Sequence, residues 1–313
     1  MKKTKIAIVG IGRVGATLAY QIINTGICDE LILINKNPRK AWAEAMDLNH
    51  AMGYSDTIVN VIPGDYAACR DADLVVLSVS APYVTGMTRL DMLESATDIL
   101  KEVVPPIMDS GFNGIFLVIT NPVDVMTYLV QRISGLPPER VIGTGTSLDS
   151  SRLRKAISDL MGVDSRSVDA FCMGEHGDSQ MVPWSQVTVG SKKFLEIIED
   201  NPLRFGGLNL DEVSQSVTQV AYQIVEAKGA TSYAISYITA QIIEAIIKDK
   251  HKVLPVSVML NGEYGERDVY CGVPAVLTSR GVKELVEYNL TEEELGRFKQ
   301  SIAVLRGVNA KLL

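Results

Sequence analysis

The sequence predicts an α/β protein: a doubly wound parallel sheet across the first half of the chain, then a second α+β domain. Three observations carry this. Up to about residue 145, short β-branched runs alternate with helix-length amphipathic segments, the pattern of a parallel sheet covered on both faces. A glycine-rich turn follows the first of those runs. Past residue 145 the alternation gives way to separate blocks of strand-like and helical sequence, as a mixed second domain requires.

In chain order, the strands of the first half are expected at Lys5–Val9, Leu31–Ile34, Ile58–Ile62, Leu74–Val79, Ile115–Ile119 and Val141–Gly143. Helices between them include Val14–Thr25 and Arg39–Ala51, with Pro38 and Pro122 where a first helical turn tolerates proline. Helix Asp149–Met161 opens the second half, and Gly162 is its expected stop. Strand-like Ser167–Met173 and Gln186–Val189 come next, then helices Leu210–Ala227 and Ser232–Lys248. Strand-like Val253–Met259 and Val269–Val276 follow, and a last helix starts near Glu292. No repeat, low-complexity tract or Pro/Gly/Ser-rich linker separates the halves, so 1–145 and 146–313 are expected to meet at a packed junction.

With 313 residues, 47% hydrophobic and 21% charged, the chain can bury a large core, and disordered and fibrous classes drop out. The net charge of -7 argues against nucleic acid or an anionic membrane as partner. It leaves room for a small anionic substrate held by a few arginines. Cys28, Cys69, Cys172 and Cys271 are far apart and show no C-x-x-C spacing, so neither a metal site nor a disulfide framework is expected, and a reducing, cytoplasmic setting fits. The start Met1-Lys2-Lys3-Thr4-Lys5 before Ile6–Ile11 resembles a secretory leader, but Arg13 interrupts it and no cleavage site follows. No stretch approaches the ~18 apolar residues of a membrane span.

Gly10-Ile11-Gly12-Arg13-Val14-Gly15 follows a strand and opens a helix, the setting of the Rossmann dinucleotide fingerprint. Its glycines permit a tight turn and close backbone approach, so a pyrophosphate can rest on the helix N-terminus. A turn that merely packed helix on strand would not need Gly12. About twenty residues past the last glycine, where the fingerprint places an acid for the ribose hydroxyls, stands Asn35. Asparagine does not repel a 2′-phosphate, and Lys36 and Arg39 are near. NAD is the expected cofactor, with weak discrimination against NADP.

Only three histidines occur. His50 lies in a helical pattern and His251 in a charged run, where surface or packing roles suffice. His176, in Met173-Gly174-Glu175-His176-Gly177-Asp178-Ser179, has glycines that leave its ring room beside a ligand, and imidazole titrates near neutrality. Locally it could equally be a structural loop residue. Asp149 and Arg152, three apart in an expected first helical turn, share a face. The acid could orient an imidazole and the guanidinium could grip a carboxylate, though such spacing more often means a surface ion pair. Ser80-Ala81-Pro82-Tyr83-Val84-Thr85-Gly86-Met87-Thr88-Arg89 joins the fourth strand to a helix at the sheet edge where ligands bind, and could close and bring Arg89 in.

With Thr120-Asn121-Pro122-Val123-Asp124 and Leu148-Asp149-Ser150-Ser151-Arg152 added in order, the chain resembles the L-lactate dehydrogenases of the lactate/malate dehydrogenase family from Lys5 onward. The resemblance implies that His176 exchanges the proton, Asp149 partners it, Arg152 binds the substrate carboxylate and Arg89 polarises the 2-oxo group. Asn121 would help hold substrate and nicotinamide, with a cis bond to Pro122. Thr231 would limit the pocket, and Val14, Tyr66 and Ser80 would line the cofactor beside Gly10, Gly12, Gly15 and Asn35. It further implies reversible hydride transfer between NADH and a short 2-oxo acid, pyruvate to L-lactate, in a homo-oligomer.

Two positions depart from the family pattern. Where lactate enzymes typically carry glutamine and malate enzymes arginine, six residues before Arg89, this chain has Tyr83. A second substrate carboxylate would lack a partner there, which disfavours malate. A longer aliphatic side chain, as in L-2-hydroxyisocaproate-type dehydrogenases, stays open as the alternative. Enzymes activated by fructose 1,6-bisphosphate pair an arginine, here Arg154, with a histidine seven before the catalytic one, and here that residue is Asp169. A carboxylate repels a phosphate, so no such activation is expected. An NAD-dependent glycosidase would instead need a metal-binding Cys and His set, and a non-catalytic nucleotide sensor would have no use for Arg89, Asn121, Asp149, Arg152 and His176 together.

Overall fold

The computed structural model describes residues 3–80 and 89–312. Its first half runs β1 (Lys5–Val9), α1 (Arg13–Thr25), β2 (Glu30–Ile34), α2 (Pro38–Ala51), β3 (Asn60–Gly64), β4 (Leu74–Leu77), α3 (Arg89–Asp109), β5 (Ile115–Val118), α4 (Val123–Ser134) and β6 (Val141–Gly143). The strands line up in parallel as β3-β2-β1-β4-β5-β6. Because helices cover both faces, β4 and β5 are buried at every residue, which is why these strands read as unbroken apolar runs. The order reverses between β1 and β4, and ligands of such sheets bind at the carboxyl ends beside that point.

The second half runs α5 (Ser147–Met161), β7 (Val168–Asp169), β8 (Thr188–Val189), β9 (Lys192–Lys193), α6 (Phe194–Asp200), α7 (Pro202–Phe205), α8 (Leu210–Lys228), α9 (Tyr233–Ile247), β10 (Lys252–Asn261), β11 (Arg267–Thr278), β12 (Gly281–Leu285) and α10 (Glu292–Asn309). It is not a separate layer system. β10 pairs antiparallel with β6 through Ser257 and Gly143, so β10-β11-β12 extend the first sheet to nine strands. One apolar core accordingly runs from Ile6 and Leu117 through Val256 and Val273 to Phe298. A smaller core, with Leu153, Val168, Phe194 and Val217, lies under α5, α8 and the three-stranded sheet β7-β8-β9.

Most expected elements stand within two residues of where the pattern puts them, and four differ for physical reasons. Ile58 lies outside β3, 94% exposed, because β2 pairs from Glu30 opposite Asn60. Ser167–Met173 is a strand only at Val168–Asp169, with an isolated bridge at Met173, and Gln186–Val189 is one only at Thr188–Val189. Cys172 is instead held by α5: the Thr146 hydroxyl donates to its carbonyl (2.6 Å) and its N–H donates to Ser150 Oγ (2.9 Å). β12 was not expected, since Gly281-Val282-Lys283-Glu284-Leu285 has little apolar alternation and takes its strand form from pairing with β11.

The helix ends are set by local chemistry. Pro38 occupies the first turn of α2 behind Asn37, whose side chain accepts from the N–H groups of Arg39 and Lys40. Gly162 ends α5 as expected. Thr291 and Glu294 cap α10 reciprocally, and the Glu294 carboxylate also accepts from the N–H and hydroxyl of Ser185.

Candidate active site

The glycine turn leaves β1 and enters α1. Gly10 has φ +98°, and a Cβ there would stand 2.4 Å from the Ser78 carbonyl oxygen. A Cβ on Gly15 would stand 2.2 Å from the Gly10 carbonyl oxygen. Both are therefore required by the fold alone. Gly12 is different: it is exposed, its φ is -88°, and a Cβ would meet nothing within 4 Å. Among the described residues no packing or backbone constraint requires it, so the missing side chain fits close approach of a ligand. No side chain caps α1 either, so its first N–H groups and dipole suit a pyrophosphate.

Around this turn, Val14 and Tyr66 are partly buried against the core, and Ser80 and Asn121 lie exposed past the carboxyl ends of β4 and β5. Asn35 follows β2 directly, and its Oδ1 accepts the Asn37 N–H (3.0 Å), leaving its amide N–H groups without a hydrogen bond among the described residues. The Asn121-Pro122 bond is cis.

His176 sits on a loop held from several elements. Met173 pairs with Met181 and Gly174 with Gly272 of β11. Gly174 has φ +92°, and a Cβ there would press on the Ser301 hydroxyl at 2.5 Å. The Glu175 N–H donates to Ser301 Oγ (2.8 Å) on α10, and the His176 N–H donates to Asp124 Oδ2 (2.7 Å) on α4.

The His176 ring meets Asp149, 27 residues earlier, at 2.5 Å between Nδ1 and Oδ2. The other Asp149 oxygen accepts from Arg152 Nη1 at 3.2 Å. Thus Asp149 and Arg152 are not a surface pair: their side chains are 4% and 13% exposed, and that of His176 is 25% exposed. The remaining Arg152 N–H groups and His176 Nε2 have no hydrogen bond among the described residues, which leaves a two-pronged donor beside a ring nitrogen.

Burial by itself would raise the Asp149 carboxyl, but His176 and then Arg152 outweigh it and hold it below the usual range. Burial would lower His176, yet the charge and hydrogen bond of Asp149, with a smaller contribution from Asp124, leave it raised. The pair is built to keep the imidazole protonated while Asp149 stays ionised.

The structure brings His176, Asp149 and Arg152 together. Arg89 opens α3, but its side chain lies outside the described part of the structure, as does Tyr83 altogether. Thr231 sits in the short connection between α8 and α9. Sequence reasoning gave no role to Asp124 or Ser257. The available signal was a lone acid opening the buried run Val123–Val130. Cys172 is fully buried beside Asp149, and burial pushes its thiol well above the usual range.

A nucleotide turn and an imidazole–carboxylate pair on one sheet define a dinucleotide-dependent dehydrogenase. Comparison with known proteins gives the particulars. Residues 4–143 match the family model described as lactate/malate dehydrogenase, NAD binding domain, and residues 146–312 match its alpha/beta C-terminal domain. The chain is 49% identical over 302 residues to L-lactate dehydrogenase 3 of Bacillus thuringiensis subsp. konkukian, covering 96% of each. It is 46% identical over 315 residues to L-lactate dehydrogenase 2 of Bacillus cereus, covering 100% of each. Among solved structures, the minor L-lactate dehydrogenase of Enterococcus mundtii in its ligands-bound form superposes with a TM-score of 0.96 at 42% identity, covering 99% of this chain and 98% of that one. Its ligands-unbound form gives 0.91 at 41% identity, covering 100% and 98%. The chain belongs to the lactate/malate dehydrogenase family, and its cofactor is NAD. The glycosidase reading falls away with that membership.

Proposed function

We propose that the protein interconverts pyruvate and L-lactate with NADH, with residues 1–145 holding the cofactor and 146–313 supplying the proton and the substrate grip. The observation that carries this is the 2.5 Å contact between His176 and buried Asp149, with Arg152 on the other carboxylate oxygen. Gly10, Gly12 and Gly15 would hold the cofactor's pyrophosphate, and the cofactor when bound would supply the hydride for the 2-oxo carbon. Val14, Tyr66, Ser80 and Asn35 line its path in this reading, and Asn121 holds the nicotinamide end and the substrate. Arg152 binds the substrate carboxylate in a two-pronged grip. His176 Nε2 gives its proton to the 2-oxo oxygen, and Asp149 holds the ring through Nδ1 and stabilises its charged form. Arg89 polarises the carbonyl as the loop closes and excludes water, and Thr231 bounds the pocket.

Two further readings accompany this one. Arg154 donates to Asp169 (2.9 Å) and to the Ala170 carbonyl (3.1 Å) and stacks on Phe171. A guanidinium so engaged supports independence from fructose 1,6-bisphosphate, and the sugar bisphosphate should leave the pyruvate saturation curve in place. A homo-oligomer, dimer or tetramer, is supported by exposed Trp42 and Met46 on α2, Val225 on α8, and Tyr233 and Tyr237 on α9. Among the described residues no helix is long and apolar enough to cross a membrane, and the four cysteines are buried and unpaired, which supports a cytoplasmic enzyme.

The test is a panel of 2-oxo acids assayed with NADH, for the native chain and Tyr83→Gln. Pyruvate is expected to give the highest kcat/KM and oxaloacetate a far lower one. A branched 2-oxo acid outrunning pyruvate would favour the L-2-hydroxyisocaproate-type alternative, and a change below about twofold on replacing Tyr83 would remove its selective role.

A further inference from the structure

One buried carboxylate, Asp124, has no part in the reaction as described. Asp124, 2% exposed, lies in the first turn of α4, three residues after Asn121. Its Oδ2 accepts the His176 backbone N–H (2.7 Å) and its Oδ1 accepts the Ser257 hydroxyl (2.5 Å). Ser257 is fully buried on β10, opposite Gly143 of β6. That junction has no slack, since a Cβ on Gly143 would stand 2.8 Å from Ser257 Cβ and 2.4 Å from Thr127 Oγ1. One carboxylate therefore ties the helix that follows Asn121, the loop that carries His176 and the strand that joins the two halves.

We propose that Asp124 is a positioning residue for proton transfer: it fixes the His176 loop relative to Asn121 and places a second negative charge beside the imidazole. An asparagine could accept the His176 N–H through Oδ1 and donate to Ser257 Oγ without the cost of burying a charge. What the carboxylate adds over the amide is its charge. Asp124 and Asp149 then face Arg152 and protonated His176, so among the described residues the protonated ring is the balanced state. Of the other titratable groups, Glu175 lies close enough to raise the Asp124 carboxyl. Glu175, on the same loop, takes the Ser179 hydroxyl; Asp178 is exposed and accepts from Tyr222; Cys271 on β11 is a fully buried thiol, held neutral by burial. Burial also pushes the Asp124 carboxyl up to about 6, against the pull of Ser257 and His176. The second charge is therefore present at neutral pH and lost on acidification.

The inference rests on His176 as proton donor, and its test separates the two. In reduction, kcat/KM falls as pH rises through the His176 titration. Asp124→Asn is expected to move that fall to lower pH by about half a unit or more. His176 should titrate lower by the same amount in NMR of histidine-labelled protein. Ser257→Ala removes the hydroxyl that draws the Asp124 carboxyl down, so its charge is lost at higher pH. It should lower the melting temperature and move the fall in the same direction as Asp124→Asn, by no more than that variant does. An Asp124→Asn enzyme with the native profile and native His176 titration overturns the proposal. So does a Ser257→Ala enzyme whose fall stays at the native pH or moves higher, which is decisive even if Asp124→Asn does not fold. His176→Asn with undiminished turnover would sink the underlying reading instead.

Discussion

The two ligand-binding regions of this chain are built in opposite ways. At the glycine turn, the groups proposed to meet the cofactor are backbone N–H donors and missing side chains within Gly10–Gly15, and the local strand–turn–helix geometry presents them. At the proton-transfer site, the His176 loop takes its partners from Asp149, Asp124 and, through Glu175, the α10 helix, up to 126 residues away along the chain. The first site survives as long as one turn keeps its shape. The second exists only when α4, α5, α10 and β11 pack together, which makes it the more sensitive to distant change.

That contrast can be broken or sharpened by substitution. The largest expected effect is at the packed site: His176→Asn should lower kcat for 2-oxo acid reduction by about a thousandfold and abolish the pH-dependent limb in steady-state assays. For the native enzyme the sign follows from the raised imidazole. Reduction needs the protonated ring, so kcat/KM should hold at low pH and fall only above the ordinary value of 6.5, while oxidation of the hydroxy acid rises over the same range.

Next comes Arg152→Lys, which keeps the charge but loses the planar fork. A drop of about a hundredfold in kcat/KM, carried mainly by KM, is expected, roughly 2.7 kcal/mol. A loss confined to kcat would instead assign Arg152 to the transition state alone.

At the glycine turn the effects should be smaller and should separate binding from folding. Gly12→Ala meets nothing inside the chain, so stability should change by less than about 0.5 kcal/mol while NADH affinity, by fluorescence titration, weakens about tenfold. Gly15→Ala drives its Cβ into the Gly10 carbonyl and should cost about 2 kcal/mol of stability in denaturant unfolding. Equal behaviour of the two would erase the distinction.

Smallest is the cofactor preference at Asn35. The native NADH over NADPH ratio of kcat/KM should stay below about a thousandfold, roughly 4 kcal/mol, and Asn35→Asp should raise it several-fold by repelling the 2′-phosphate. A native ratio above that bound would remove Asn35 as the weak point.

Much of this was legible in the residues. Buried parallel strands announce themselves as apolar runs, and β1 and β6 have the boundaries expected of them. The glycine turn was legible because its signal is contiguous. Tertiary context was needed where pattern is silent or shared. Asp149 and Arg152 have the spacing of any helical ion pair, and only the seating of Cys172 against Thr146 and Ser150 brings them under His176. Asp124 read as one letter of a motif because its two donors come from a loop and a strand that the chain reaches much later.

By itself, then, the sequence determined the layer order of the first half, the nucleotide turn and the set of polar residues available for chemistry, because local periodicity and backbone freedom are written residue by residue. Packing alone decided that the second half continues the first sheet through β10, and that two buried acids hold one histidine, one at its ring and one at its backbone N–H. The physical reason is that a burial environment, and the charge state it enforces, belongs to a position in space to which distant segments contribute together.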